Sequence, residues 1–147
     1  MTYISALDSV YEAELRVILI LRNSPNPICT DYKAAIDTLA TNAETLGVGN
    51  TNLNGTHRFA SAEFKTRLSL VTRAVQVLAL KELVHVHISK NSIRYSLTAS
   101  GNTVANSLDS PYAHRFSETV KDILHAMKSS SQEEVIMNIT RSVKRKR

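Results

Sequence analysis

Two histidines, His85 and His87, alternate with aliphatic residues in the run Val84-His85-Val86-His87-Ile88. If that run is a strand, both imidazoles leave the same face, placed like a pair of metal ligands. A zinc centre needs a third or fourth ligand. The single cysteine, Cys29, has no partner near it in sequence, and His57, His114 and His125 are scattered. Exposed histidines on a strand are the simpler reading, so no metal and no cofactor is expected. Nothing else is organised for catalysis. There is no glycine-rich phosphate loop, nucleophile elbow or metalloprotease helix, and the chain reads as a non-enzyme.

The cationic residues say more. Lysine and arginine total 18 against 13 acidic residues, a net charge of +5. Arg141, Lys144, Arg145, Lys146 and Arg147 crowd the acid-free C-terminus, and without them the charges balance. Such a tail can hold phosphate backbones without specifying sequence, lie on an acidic protein surface, or remain a solvated terminus. A second set lies between Lys65 and Gln76. In helical geometry Thr66, Ser69, Arg73 and Gln76 share one face, flanked by Lys65 and Thr72. Lys65, Ser69, Thr72, Arg73 and Gln76 would then be the side chains offered to a major groove, with Lys90 and Arg94 holding phosphates beside it. The same face also reads as the solvated side of an amphipathic helix, since Lys65 and Arg73 are its only bases.

The elements that must position these residues follow from periodicity and punctuation. A first helix from about Ser9 to Arg22 has Asp8 or Ser9 as cap and Glu12 and Glu14 at its positive end. Its second half, Val17 to Leu21, is apolar all round, which suits either the centre of the domain or a subunit interface. Pro25 and Pro27 stop it. A second helix capped by Thr30 or Asp31 runs through Leu39 towards Leu46. Gly47 to Ser61 carries three glycines and no apolar period, and reads as a loop. The third helix, after a Ser61 cap, has the stripe Phe64, Leu68, Val71, Val75 and Leu78. Leu70 and Val77 form a second apolar facet on it.

The period then changes to two. Val84, Val86 and Ile88 face Ile93, Tyr95 and Leu97 across the loop Ser89–Ser92, which predicts a hairpin with one apolar and one polar face. Thr98 caps a fourth helix carrying Val104 and Leu108. Ser110-Pro111 opens a fifth with the stripe Tyr112, Phe116, Val120, Ile123 and Met127. Ser131-Gln132-Glu133-Glu134 has the form of a capping box before a sixth.

At 147 residues, 43% of them hydrophobic and 21% charged, the chain is long enough for one independently folded core. The longest strictly apolar run is Val17 to Leu21, too short to span a membrane. Acidic Asp8, Glu12 and Glu14 do not suit a signal peptide. One cysteine permits no internal disulfide, and a cytoplasmic setting is the expectation.

Helix, helix, long helix, hairpin, helix is the order of a winged helix-turn-helix. The fold class expected is α+β, mostly helical: a winged helix-turn-helix with flanking N- and C-terminal helices. The string Tyr95-Ser96-Leu97-Thr98-Ala99-Ser100-Gly101 supports it, because the strand buries Tyr95 and Leu97, Thr98 caps, and Gly101 permits close packing. The expected division is 1–129 for the winged-helix domain with its N-terminal and fifth helices, and 130–147 for a C-terminal helix and basic tail.

The chain also resembles a family. Its features here are the aliphatic Val17–Leu21 helix before Pro27-Ile28, the pair Ile36-Asp37, the polar loop Leu53–His57, Glu63-Phe64 opening a helix that ends in Leu83-Val84, a tyrosine in the wing, and Ser110-Pro111-Tyr112 before an amphipathic helix. In this order, over roughly Val17 to Met127, they resemble the middle component of bacterial ABC-three-component systems, the small winged-helix subunit of Lamassu-type defence complexes. The resemblance implies a non-catalytic adaptor of an anti-phage or anti-plasmid complex. Its partners would be an SMC-like ABC ATPase subunit and a nuclease-type effector subunit, with double-stranded DNA as a nonspecific further partner and no membrane. Val17, Leu21, Leu70 and Val77, more apolar surface than one small domain obviously needs, would be the partner interface unless the fifth and sixth helices cover them. The alternative is a free-standing winged-helix transcriptional regulator that binds DNA as a dimer.

Overall fold

Ser9 Oγ accepts the Glu12 amide at 3.0 Å and starts helix α1, Val10–Arg22. The computed structural model describes residues 9–41 and 57–128, with Ser131 and Glu134. α1 ends where polar side chains take up its last carbonyls: Asn23 Nδ2 donates to Leu19 O at 2.8 Å and Ser24 Oγ to Ile20 O at 2.7 Å. The prolines behind them prevent the helix from continuing, and the chain bends at Pro25 and Asn26. A two-residue strand β1, Ile28–Cys29, follows, and the second helix α2, Thr30–Thr41, begins at once. Thr30 is thus the first helical residue rather than a cap.

Helix α3 is His57–Leu80. It begins several residues before the expected Ser61 cap, because His57 to Ser61 contains neither glycine nor proline and offers nothing to break a helix. The rest of the expected loop, and the continuation of α2 towards Leu46, lie outside the described residues. α3 closes in a left-handed turn: Leu83 N donates to Leu78 O at 2.9 Å across Glu82, whose φ is 60°. This six-to-one bond is a Schellman closure with glutamate where glycine is the usual choice.

The turn feeds strand β2, Val84–Ile88, which pairs with β3, Ile93–Leu97. β1 pairs with the other side of β3, Ile28 opposite Tyr95, so the antiparallel sheet runs β1-β3-β2. Two residues cannot reveal a period, and β1 was not expected from the sequence. Thr98 then acts three times. Its amide donates to Leu83 O, its hydroxyl donates to Glu82 O at 2.9 Å, and the same oxygen accepts the Gly101 amide at 3.0 Å, capping α4, Ala99–Ser107. A Cβ on Gly101 would collide with Leu83 O and press on Leu97. Ser110 caps the last described helix, α5, Pro111–Ala126, with Pro111 at its first turn. The capping box also forms: Ser131 N donates to Glu134 Oε1 at 2.9 Å and Glu134 N to Ser131 Oγ at 3.0 Å. The proposed boundary at 129/130 and the rest of that helix lie outside the described residues.

The fold is therefore α+β, mostly helical with a small antiparallel sheet. α1 is its centre, touching α2, α3, α4, α5 and β3. Phe64, Val71, Val75 and Leu78 of α3 and Phe116, Val120 and Ile123 of α5 are buried around it. This corrects part of the expected partner interface. Val17 is 0% and Leu21 5% exposed, so the all-round apolar half of α1 is consumed by the domain's own core. Leu70 and Val77 are half-buried. The hairpin departs the other way. Val84 is buried, but Val86 is 48% and Ile88 77% exposed, so the expected apolar face is covered at one end only.

Candidate functional site

α3 must bury one side against α1 and α2, and that requirement orients everything else on it. With Phe64, Arg67, Val71, Ala74, Val75 and Leu78 turned inward, Lys65, Thr66, Ser69, Thr72, Arg73 and Gln76 are all exposed on the other side. The structure thus brings together the five α3 residues singled out from the sequence. Thr72 Oγ1 donates to Leu68 O at 2.7 Å, which commits its proton to its own helix and leaves the oxygen as an acceptor. Arg73 and Lys65 supply the positive charge, one helical stretch apart.

Lys90 and Arg94 lie on the hairpin, a separate unit joined to α3 by the Lys81–Leu83 turn. Lys90 is exposed at the tip. Arg94 is half-buried on β3, where Nε donates to Ser92 Oγ at 3.3 Å. His87 lies opposite it across the ladder. His87 Nε2 and Ser96 Oγ are 2.7 Å apart, and the His85 and His87 rings meet edge-on with centroids 6.2 Å apart. Among the described residues no group of three or more metal-ligating side chains comes together. Arg141, Lys144, Arg145, Lys146 and Arg147 lie outside the described residues.

Sequence reasoning missed a buried polar network among the helices. Arg16 and Asp37 are each 1% exposed. Arg16 Nε donates to Asp37 Oδ1 at 2.7 Å and Nη2 to Oδ2 at 3.4 Å, a fork that fixes α1 against α2 in one register. Arg67 of α3 is buried as well. Tyr112, at the start of α5, lies within electrostatic reach of Arg16, Asp37 and Arg67; burial raises its phenol and the two guanidiniums oppose that rise. Two residues named through the family resemblance thus lie near each other: Asp37 is buried in the ion pair, and Tyr112, 40% exposed, stands at its rim. Arg16 carried a signal of its own, since it immediately precedes a run that is apolar all round.

Lys33 is the second such group. Its Nζ donates to Ile28 O at 3.2 Å and stands 4.0 Å from the centroid of the Tyr95 ring, with no solvent exposure. It joins α2 to β1 and β3 together. Burial pushes its ammonium down to about 7, against smaller opposing effects of Cys29 and Asp31. A third pair, Lys81 Nζ to Glu14 Oε1 at 3.0 Å, ties the end of α3 to α1. These contacts hold the exposed α3 face and the hairpin to one helical frame.

Comparison with known proteins gives one assignment. The family described as ABC-three component (ABC-3C) system Middle Component 2 matches residues 6–147. No curated protein and no solved structure matches the chain. Among the described residues no helix is long and apolar enough to cross a membrane.

Proposed function

The chain belongs to the Middle Component 2 family of ABC-three-component systems, and from that premise we propose that it is the non-catalytic winged-helix adaptor of a cytoplasmic, Lamassu-type defence complex. In this reading it is an accessory component that joins an SMC-like ABC ATPase to a nuclease-type effector and adds nonspecific contact to double-stranded DNA. The observation that carries the reading is the family match over nearly the whole chain. The winged-helix part is supported by the topology: a short β1 between α1 and α2, α3 leading into the hairpin, and the order β1-β3-β2. The exposed polar face of α3, with Arg73 and Gln76 and with Lys90 and Arg94 on the hairpin, is what the adaptor would set against a phosphate backbone or an acidic protein surface.

Co-expression with an SMC-like ABC ATPase of the same system tests the reading. A stable complex on gel filtration is expected, with DNA binding that is salt-sensitive and indifferent to sequence. A chain that elutes apart from the ATPase and protects one palindromic site by itself is a regulator, and the adaptor reading fails.

A further inference from the structure

We propose that the outer edge of β2 is a docking strand for an extended segment of a partner subunit, one that alternates apolar with acidic side chains. The proposal rests on the accessory-subunit reading above.

The edge is defined by the hydrogen bonds of the ladder. Thr98 N donates to Leu83 O and Ser89 N to Ser92 O, both at 3.0 Å. In an antiparallel pair the bonded positions alternate. His85 and His87 therefore spend their backbone groups on β3, and Val84, Val86 and Ile88 aim theirs away from it. The order β1-β3-β2 leaves that side of β2 unpaired among the described residues. Exposed edges of this kind are normally blunted by lysine, proline or a bulge. Here the strand beyond Val84 is His85-Val86-His87-Ile88, with neither lysine nor proline, in unbroken register with β3.

The two faces of that edge specify what would pair with it. On one face Val86 and Ile88 are exposed, and Ile93, opposite Ile88, is 49% exposed. An added strand would cover all three with apolar residues at alternate positions. On the other face stand His85 and His87, with Arg94 on the next strand and Lys90 at the tip. His87, Ile88, Ser89, Ser92 and Arg94, with Asn26 and Pro27 from the segment leading into β1, line a cleft of about 350 Å³ without a carboxylate at the end of the hairpin. The intervening residues of the added strand would face this side, where carboxylates meet the Arg94 charge and hydroxyl or imidazole donors. A second copy of β2 is the poorer occupant, since it would set the same basic face beside itself.

The test uses the full-length, isotope-labelled protein and a capped seven-residue peptide alternating glutamate and valine. Binding should shift the Val86 and Ile88 amides and slow their hydrogen exchange, while His85 and His87, already bonded to β3, change little. Replacing glutamate by lysine in the peptide should weaken binding at least tenfold. Val86→Pro, which removes an outward amide that β3 does not use, should abolish it; Ile88→Glu, at a solvent-facing position, should weaken it even if the proline variant does not fold. Equal binding of both peptides, or Val86 and Ile88 amides already protected in the free protein, overturns the proposal. Co-purification separates it from the adaptor reading. If the natural protein holds the ATPase and the effector and both variants hold them equally, the edge is not the docking site and the adaptor reading stands. If the natural protein does not hold the ATPase, the adaptor reading falls and the peptide titration still decides the edge.

Discussion

The junction of α1 with α2 and the tip of the β2–β3 hairpin invert the ordinary distribution of side chains. At the junction, Arg16 and Asp37 are each 1% exposed, and on the other side of α2, against β1 and β3, Lys33 is fully buried. At the tip, Val86, Ile88 and Ile93 stand in water. A buried ion pair is a poor source of stability, because desolvating two charges offsets most of their attraction. It is strict about geometry, and the fork between Arg16 and Asp37 accepts one arrangement of two helices. Exposed aliphatic residues cost little in an isolated domain and gain when something covers them. One region is held in a single geometry by its own contacts, and the other leaves three aliphatic side chains uncovered. The chain's place in a multicomponent system fits that division of labour.

The largest break in this comparison should come from Asp37→Ala. It leaves the Arg16 guanidinium buried without its carboxylate, and urea denaturation should report a loss of about 3–5 kcal/mol. Replacing both Arg16 and Asp37 with apolar residues of similar volume should recover most of it; if the double variant is no more stable than the single, the pair is not the cause. Gly101→Ala should cost about 1–3 kcal/mol, because the new methyl meets the Leu83 carbonyl and Leu97. Serine at the neighbouring exposed Ser100, changed to alanine, serves as the near-neutral control.

Lys33 sharpens the comparison through pH. Its folded value lies near 7 and the ordinary lysine value is 10.5. Between those limits the unfolded chain holds a proton that the folded chain has released, so stability rises with pH across the window. The slope should be on the order of 1 kcal/mol per pH unit. Lys33→Met should flatten it, and an unchanged slope in that variant would assign the effect to another group. The smallest effect belongs to the wing. Ile88→Thr should change stability by less than about 0.5 kcal/mol, as at exposed positions generally. A thermal melt checks this, and a large loss would mean that Ile88 is covered in solution by some other part of the molecule.

What could be read from the sequence divides along the same line. Caps and stripes are local, and Ser9, Thr98, Ser110 and the Ser131–Glu134 box all form. The exposed α3 face was legible for the same reason, since buried Phe64, Val71, Val75 and Leu78, with half-buried Leu68, fix the rotation of the helix. Burial that depends on distant elements was not legible. Arg16 and Lys33 are long, charged residues whose partners Asp37 and Tyr95 lie far along the chain. Val17 and Leu21 looked like surplus surface only while the helices around α1 were uncounted. Val86 and Ile88 showed the alternation of a half-buried strand, but alternation cannot say whether another layer exists to cover it.

The two-residue strand β1 has a consequence for how the molecule assembles in time. The β2–β3 ladder joins neighbours in sequence and can close within microseconds of collapse. β1 reaches β3 only across α2 and α3, so its contacts cost far more loop entropy than those of the hairpin and are rewarded later. Cys29 sits at that seam, half-buried opposite Arg94. Its thiol is thus a natural clock for a stage of folding later than closure of the hairpin. Pulsed alkylation during refolding should find it reactive after the hairpin amides are protected, closing only when the helical frame is complete.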